Sequence, residues 1–127
     1  MFLNAEAIKK AVESGEIGIT DFKEENLKAA SYSLTLGPIN GENKFELKPS
    51  GFVLLETKEK ITLNNTYCGL MFTPARLARQ GINVTQGSDF ADPDTDNIMI
   101  LETSNSGNNP VTFEAGMKIA KIAFTKM

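Results

Sequence analysis

The sequence contains no histidine and a single cysteine, Cys68, among its 127 residues. Zinc sites in hydrolases need three or more histidine, cysteine or carboxylate ligands, and zinc nucleobase deaminases use one histidine with two cysteines. That histidine–cysteine set and the Ser-His-Asp or Cys-His triads cannot be assembled from this chain. Acid–base chemistry must therefore come from Asp, Glu, Lys, Tyr or water. We expect Cys68 to be a small buried side chain, and the lack of a disulfide partner fits a reducing compartment.

Strong positive charge and long apolar runs are also absent. A net charge of −3 argues against a protein that wraps duplex nucleic acid. No apolar run reaches the length needed to cross a bilayer, and the first ten residues lack the apolar core of a signal peptide. We therefore expect one cytoplasmic domain, residues 1–127, with neither a nucleic-acid nor a membrane partner.

One helix is predicted at the start of the chain, from Asn4 to Ser14. Asn4 is a suitable N-cap, and Gly15 is well placed to end the helix. The apolar stripe consists of Ile8, Ala11 and Val12.

Most of the remaining chain alternates apolar and polar residues between turn signals, which is typical of short strands. Tyr32, Leu34 and Leu36 alternate in this way, and Pro49-Ser50-Gly51 suggests a turn before a return strand that starts at Phe52. Another strand is expected to begin at Ile61. With no long helix among them, these strands predict a mainly β sandwich or barrel.

A short helix is predicted near Pro74–Gln80, with Thr73 as its cap and Pro74 at its first position. Arg76 and Arg79 lie three residues apart and therefore project from one side. Free N–H groups at a helix start and adjacent guanidinium groups form an anion site suited to phosphates. The alternative is a surface helix with two solvated arginines.

Glu102 lies in a predicted strand and shares one face with Ile98 and Ile100. A carboxylate on an apolar face is costly to ionise unless it has a partner, which makes it a candidate general acid or base. We expect it to face inward beside the arginine site. The alternative is an edge strand with Glu102 in solvent.

The loop Asp92–Asn97 has alternating acids, as calcium loops do. However, the glycine expected at its sixth position is Asn97, and Thr103 replaces the glutamate expected at its twelfth. A turn whose acids face water is the competing interpretation.

Six segments taken in order resemble the dCTP deaminase family of the dUTPase-like superfamily, over almost the whole chain. SYSLTLG is similar to the family's SYDLRLG, RLARQG to its LAR helix, ILETSNSG to LEFYNSG, and AGMKIAKIAF to PGMRIAQLVF. The opening helix matches as part of the same segment as SYSLTLG, FELKPSGFVLLETKEKITL also matches, and DPDTDN occupies the place of DPGYEG. The resemblance implies a distorted jelly-roll β-barrel, a homotrimer, and nucleotide sites at subunit boundaries.

The resemblance also implies zinc-free deamination of dCTP to dUTP, with or without dUTPase activity. Glu102 would shuttle protons, Arg79 would contact the triphosphate, and Asp92 would lie near the deoxyribose. Arg76, Ile100 and Leu101 would complete the substrate contacts. No cofactor is implied for the chemistry, although Mg²⁺ can accompany the triphosphate.

The sequence departs from the family pattern at several of these positions. Ala75 and Arg76 replace paired serines, the first of which helps to position the attacking water. Asp94 and Thr95 replace the glycine and the aromatic residue of DPGYEG, and Asn97, which tolerates a positive φ, replaces its second glycine. The C-terminal segment that closes over the nucleotide in the family is not expected either. Two hypotheses therefore stand: an active deaminase, and a non-catalytic nucleotide-binding or protein-interaction module.

Overall fold

A computed structural model describes residues 1–87 and 89–127. The first helix, α1, spans Ala5–Ser14, and the Asn4 side chain accepts a hydrogen bond of 2.9 Å from the Ala7 amide. Gly15 ends the helix with a φ of 81°. The N-terminal helix and both of its caps are therefore confirmed. A 3₁₀ turn follows at Glu24–Asn26.

Ten strands form most of the rest of the described chain. They make two four-stranded antiparallel sheets, with orders β1-β4-β8-β6 and β2-β10-β5-β7, and a two-stranded ribbon of β3 and β9. Their bounds are β1 Ile17–Ile19, β2 Tyr32–Thr35, β3 Lys44–Leu47, β4 Phe52–Leu63, β5 Tyr67–Phe72, β6 Ile82–Asn83, β7 Phe90–Ala91, β8 Asp96–Asn105, β9 Val111–Glu114 and β10 Lys118–Lys126.

The core draws side chains from both large sheets, which explains why the strands alternate. Leu55 and Leu101 contribute from the first sheet, and Leu34 and Phe124 from the second, all of them buried. Cys68 is also buried, as expected. Within the described ranges, no helix is both long and apolar enough to cross a membrane.

Strand β4 differs from the strands predicted for this part of the sequence. The chain does not return along β3 after Pro49–Gly51, because β3 pairs with β9 while β4 pairs with β1 and β8. Nor does a new strand begin at Ile61, since β4 runs without interruption through a bulge between Glu56 and Lys60. The inward positions there hold polar residues, which hide the continuity of the strand.

Glu59 is one of those inward polar residues. Its carboxylate accepts hydrogen bonds from the Thr35 amide at 2.8 Å and the Thr35 hydroxyl at 2.6 Å. Such partners make the burial of a polar group tolerable.

The second helix, α2, is confirmed but is only one turn long, Ala75–Ala78. The expected cap is wrong: Pro74 is the N-cap residue, and the Thr73 hydroxyl instead accepts a bond of 3.1 Å from the Val84 amide. Leu77 is fully buried and anchors the helix. Gly81 follows with a φ of 86°.

Candidate functional site

Strand β8 has two faces, and Glu102 lies on the outer one. The core side of β8 carries Met99 and Leu101, whereas Ile98 and Ile100 on the other side are 39% and 52% exposed. The expectation that Glu102 faces inward is therefore wrong in its direction, because its strand face is turned away from the core. Leu101 is fully buried, so its side chain packs in the core and only its backbone can reach a ligand.

Glu102 is nevertheless not a solvated residue on an edge strand. Strand β8 lies between β4 and β6, and the cross-strand neighbour of Glu102 on β4 is Leu54. One carboxylate oxygen, Oε1, is buried and has no hydrogen-bond partner among the described residues. A buried acceptor without a partner is a rare and costly arrangement. Oε1 therefore lacks a donor among the described residues, although the Glu102 side chain as a whole is only half-buried.

Gly87 accounts for part of this burial. The preceding residue, Gln86, donates its amide to the Glu102 carbonyl at 3.3 Å, which holds the segment against β8. A Cβ placed on Gly87 would lie 3.0 Å from Oε1, so any larger residue there would press on the carboxylate. No sequence pattern drew attention to Gly87.

A cavity of about 550 Å³ opens beside Glu102 and brings three of the predicted site residues together. Asp92, Ile100 and Glu102 all line it. Among the described residues that line it, only these two carboxylates are ionisable. The remaining lining residues are Met71, Phe90, Ala91, Thr95, Asn97, Ile98 and Met99.

The two arginines lie outside that cavity. The Arg76 guanidinium donates to the Lys118 carbonyl at 2.9 Å. Arg79 lines a second cavity of about 450 Å³ with Gly81, Gly107 and their neighbours. Within one chain the structure therefore does not place Arg79 in the cavity of Glu102.

Two glycines nevertheless connect the arginine helix to β8. A Cβ on Gly81 would overlap the backbone of Gly107, and a Cβ on Gly107 would overlap the carbonyl oxygen of Gln80. The Asn105 side chain holds the same loop by accepting from the Gly107 amide at 2.9 Å. The ends of α2 and β8 are thus packed backbone against backbone.

The acidic loop contributes a left-handed residue at Asp94, whose φ is 67°. This corrects the expectation for Asn97, which is a regular residue of β8 opposite Ile61. Asp94 therefore adopts the conformation for which glycine is the usual choice.

Asp96 already has partners within the chain. It accepts from the Thr62 hydroxyl at 2.9 Å and forms an ion pair of 3.0 Å with Lys60. The hydrogen bond from Lys60, followed by that from Thr62, lowers the pKa of the Asp96 carboxyl. In the part of the chain that the structure describes, no three His, Cys, Asp or Glu residues are grouped closely enough to hold a metal ion.

Comparisons with known proteins identify the family of this chain. The family model described as dCTP deaminase-like matches residues 38–127. A dUMP-forming dCTP deaminase of Corynebacterium glutamicum is 27% identical over all of this chain and 82% of its own length. A dCTP deaminase of Pyrococcus furiosus is 31% identical over 88% of this chain and 77% of its own.

Solved structures are similar at the level of the fold. The 2′-deoxycytidine 5′-triphosphate deaminase of Agrobacterium tumefaciens matches with a TM-score of 0.79 and 15% identity, over 97% of this chain. This chain spans 48% of that deaminase chain. The EIAV dUTPase matches with a TM-score of 0.66 and 17% identity, over 85% of this chain and 82% of its own. The predicted dUTPase-like, mainly β fold is confirmed.

Proposed function

Since the chain belongs to the dCTP deaminase-like family, we propose that it binds a deoxynucleoside triphosphate, dCTP or dUTP, and hydrolyses dCTP to dUTP and ammonia without zinc. The observation that carries this proposal is the cavity shared by Glu102 and Asp92, in which Oε1 of Glu102 is buried without a partner among the described residues. Cleavage of dUTP at the same site is the related activity.

The chemistry requires a group that moves protons between water and the pyrimidine. Water adds its oxygen to C4 of cytosine and gives one proton to the ring nitrogen N3. The remaining hydroxyl proton then passes to the exocyclic amine, the C4–N bond breaks, and ammonia leaves as the C4 carbonyl forms. Glu102 is the proton carrier, because the sequence has no histidine, Glu102 lines the cavity, and its Oε1 has no hydrogen-bond partner among the described residues. Ile100 and Asp92 both line the cavity, and we propose that Asp92 accepts a hydrogen bond from a sugar hydroxyl of the nucleotide.

The triphosphate needs positive charge, and none of the described residues that line this cavity carries it. Its ionisable lining residues are carboxylates, which repel phosphates, whereas Arg79 lines another cavity. We therefore propose that Arg76 and Arg79 reach the phosphates from a neighbouring copy in a homotrimer, with one site at each subunit boundary. Mg²⁺ is needed only to accompany the triphosphate.

A second candidate is a nucleotide-binding or protein-interaction module without catalysis. Helix α2 reads ARLA and presents no hydroxyl, since Ala75 occupies the position at which the family pattern has a serine. The loss of one positioning hydrogen bond of this kind can reduce the rate about 100-fold or more. The location in the cytoplasm and the absence of a nucleic-acid partner remain predictions from composition.

The test is to incubate the pure protein with dCTP and with dUTP, with and without Mg²⁺, and to separate the products by chromatography. Deamination yields dUTP, and dUTPase activity yields dUMP and pyrophosphate. Glu102→Gln should abolish turnover and leave binding nearly intact, because the amide keeps the shape but cannot carry the proton. Glu56→Gln is the matched control, as Glu56 is an exposed glutamate on β4, opposite Ile100.

Arg79→Ala should instead weaken nucleotide binding, because it removes a charge-assisted contact. Light scattering should report a mass of about three times the 13.8 kDa chain. A stable monomer that turns over dCTP would contradict the shared site. Saturable nucleotide binding with neither product would select the non-catalytic module.

A further inference from the structure

Phe90 is a large aromatic residue that the fold leaves exposed. It lies on β7, pairs with Leu70 of β5, and is 45% exposed, while the next residue, Ala91, is buried. Alternation along the strand thus turns the Phe90 side chain away from the core. A ring that stays this exposed contributes little burial energy to the stability of the fold, which is consistent with a role in binding.

The position of Phe90 relative to the site is specific. It lines the same cavity as Glu102 and Asp92, and it is the only aromatic residue among the described lining residues. Thr95, at the aromatic position of the DPGYEG pattern, also lines this cavity but has no ring. The other large apolar side chains in the described lining are flexible or branched and offer no flat surface: Met71, Ile98, Met99 and Ile100.

We infer that Phe90 is a specificity-determining residue on whose ring the heterocyclic base of the ligand stacks while Glu102 reaches its polar edge. The inference rests on the proposed nucleotide-binding function and assigns a residue that the sequence motifs did not single out. A flat apolar ring beside a carboxylate suits a planar heterocycle, since stacking satisfies its faces and hydrogen bonding its edge. The ring should not contribute to holding the phosphates.

The experiment measures binding of dCTP, dUTP and inorganic tripolyphosphate by calorimetry. Phe90→Ala should lower the affinity for both nucleotides by about 10-fold or more, which is the range expected for the removal of one stacked aromatic residue. Phe90→Tyr should retain most of the affinity because it keeps the ring, and binding of tripolyphosphate should be unchanged in both variants. Phe72→Ala is the matched control, because Phe72 is 42% exposed on β5 but is not among the residues that line the cavity.

The outcomes separate this inference from the proposed function. A wild-type protein that binds neither nucleotide overturns both. If the wild type binds nucleotides and Phe90→Ala binds them as tightly, only the role of Phe90 is overturned. An equal loss of tripolyphosphate affinity, or a change in the mass measured by light scattering, assigns Phe90 to another role and also overturns the inference. Selective loss with Phe90→Ala, together with recovery in Phe90→Tyr, supports it.

Discussion

Replacement of Glu102 by methionine should make the protein more stable. Oε1 of Glu102 is buried without a partner among the described residues, and methionine has a similar length without a polar oxygen. A buried polar group that lacks a hydrogen bond costs about 1–3 kcal/mol. Glu102 as a whole is only half-buried, so the lower end applies and we expect a gain of about 1 kcal/mol in the free energy of unfolding.

The assay is thermal and urea unfolding of wild type, Glu102→Met and Glu56→Met at neutral pH and one fixed protein concentration. For a chain of this size, 1 kcal/mol corresponds to a rise of about 3–6 °C in Tm. Glu56 lies on the same sheet face but is exposed, so Glu56→Met controls for the general effect of methionine on a strand. Concentration is held constant because assembly shifts the apparent stability.

The reasoning fails if Glu102→Met is less stable than wild type, or if Glu56→Met gains as much. Either result would mean that the Glu102 carboxylate finds adequate partners in the folded state. The expected gain in stability should accompany a complete loss of turnover, which is the usual exchange at a site strained for function.

Three further predictions concern the backbone and charges around the site. Gly107→Ala should lower the free energy of unfolding by about 1–3 kcal/mol, measured by urea titration, because its Cβ would overlap the Gln80 carbonyl. Asp94→Val should cost about 1–2 kcal/mol in the same assay, since φ at this position is 67°, whereas Asp94→Gly should not destabilise. Lys60 lowers the pKa of the Asp96 carboxyl. The Asp96–Lys60 interaction therefore stabilises the fold above the pKa of Asp96 in the unfolded chain, and this stabilisation is lost as pH falls through the pKa of Asp96 in the folded chain. An NMR titration of Lys60→Met should show the Asp96 pKa rising toward its ordinary value.

The sequence alone predicted those structural features whose determining contacts join residues only a few positions apart in the chain. The cap at Asn4, the left-handed stop at Gly15 and the presence of a short helix near Pro74 were predicted correctly because each depends on neighbouring backbone groups, whereas the cap predicted at Thr73 was wrong. The strand class was likewise evident, since alternation reflects which face of a strand meets the core. The order of six motifs along the chain identified the family before any geometry was known.

The pairing of the strands could not be predicted from local sequence. β4 was divided into two strands because Thr57 and Glu59 occupy its inward positions, and only Thr35, more than twenty residues earlier, makes Glu59 acceptable there. In the acidic loop, the family pattern located a turn, but whether Asp94 or Asn97 takes the positive φ depends on where β8 begins to pair with β4.

The sequence by itself determined the residue types at the candidate site: one glutamate in an apolar strand, an aspartate before it, and two arginines on a short helix, with no histidine to compete for the chemistry. Only the tertiary structure decided which of them meet. It placed Glu102 with Asp92 and Phe90 in one cavity and Arg79 in another, and it buried Oε1 beneath Gly87. The physical reason is that a pleated strand dictates which residues share a face, whereas the other strands and loops determine whether that face is core, cavity or solvent.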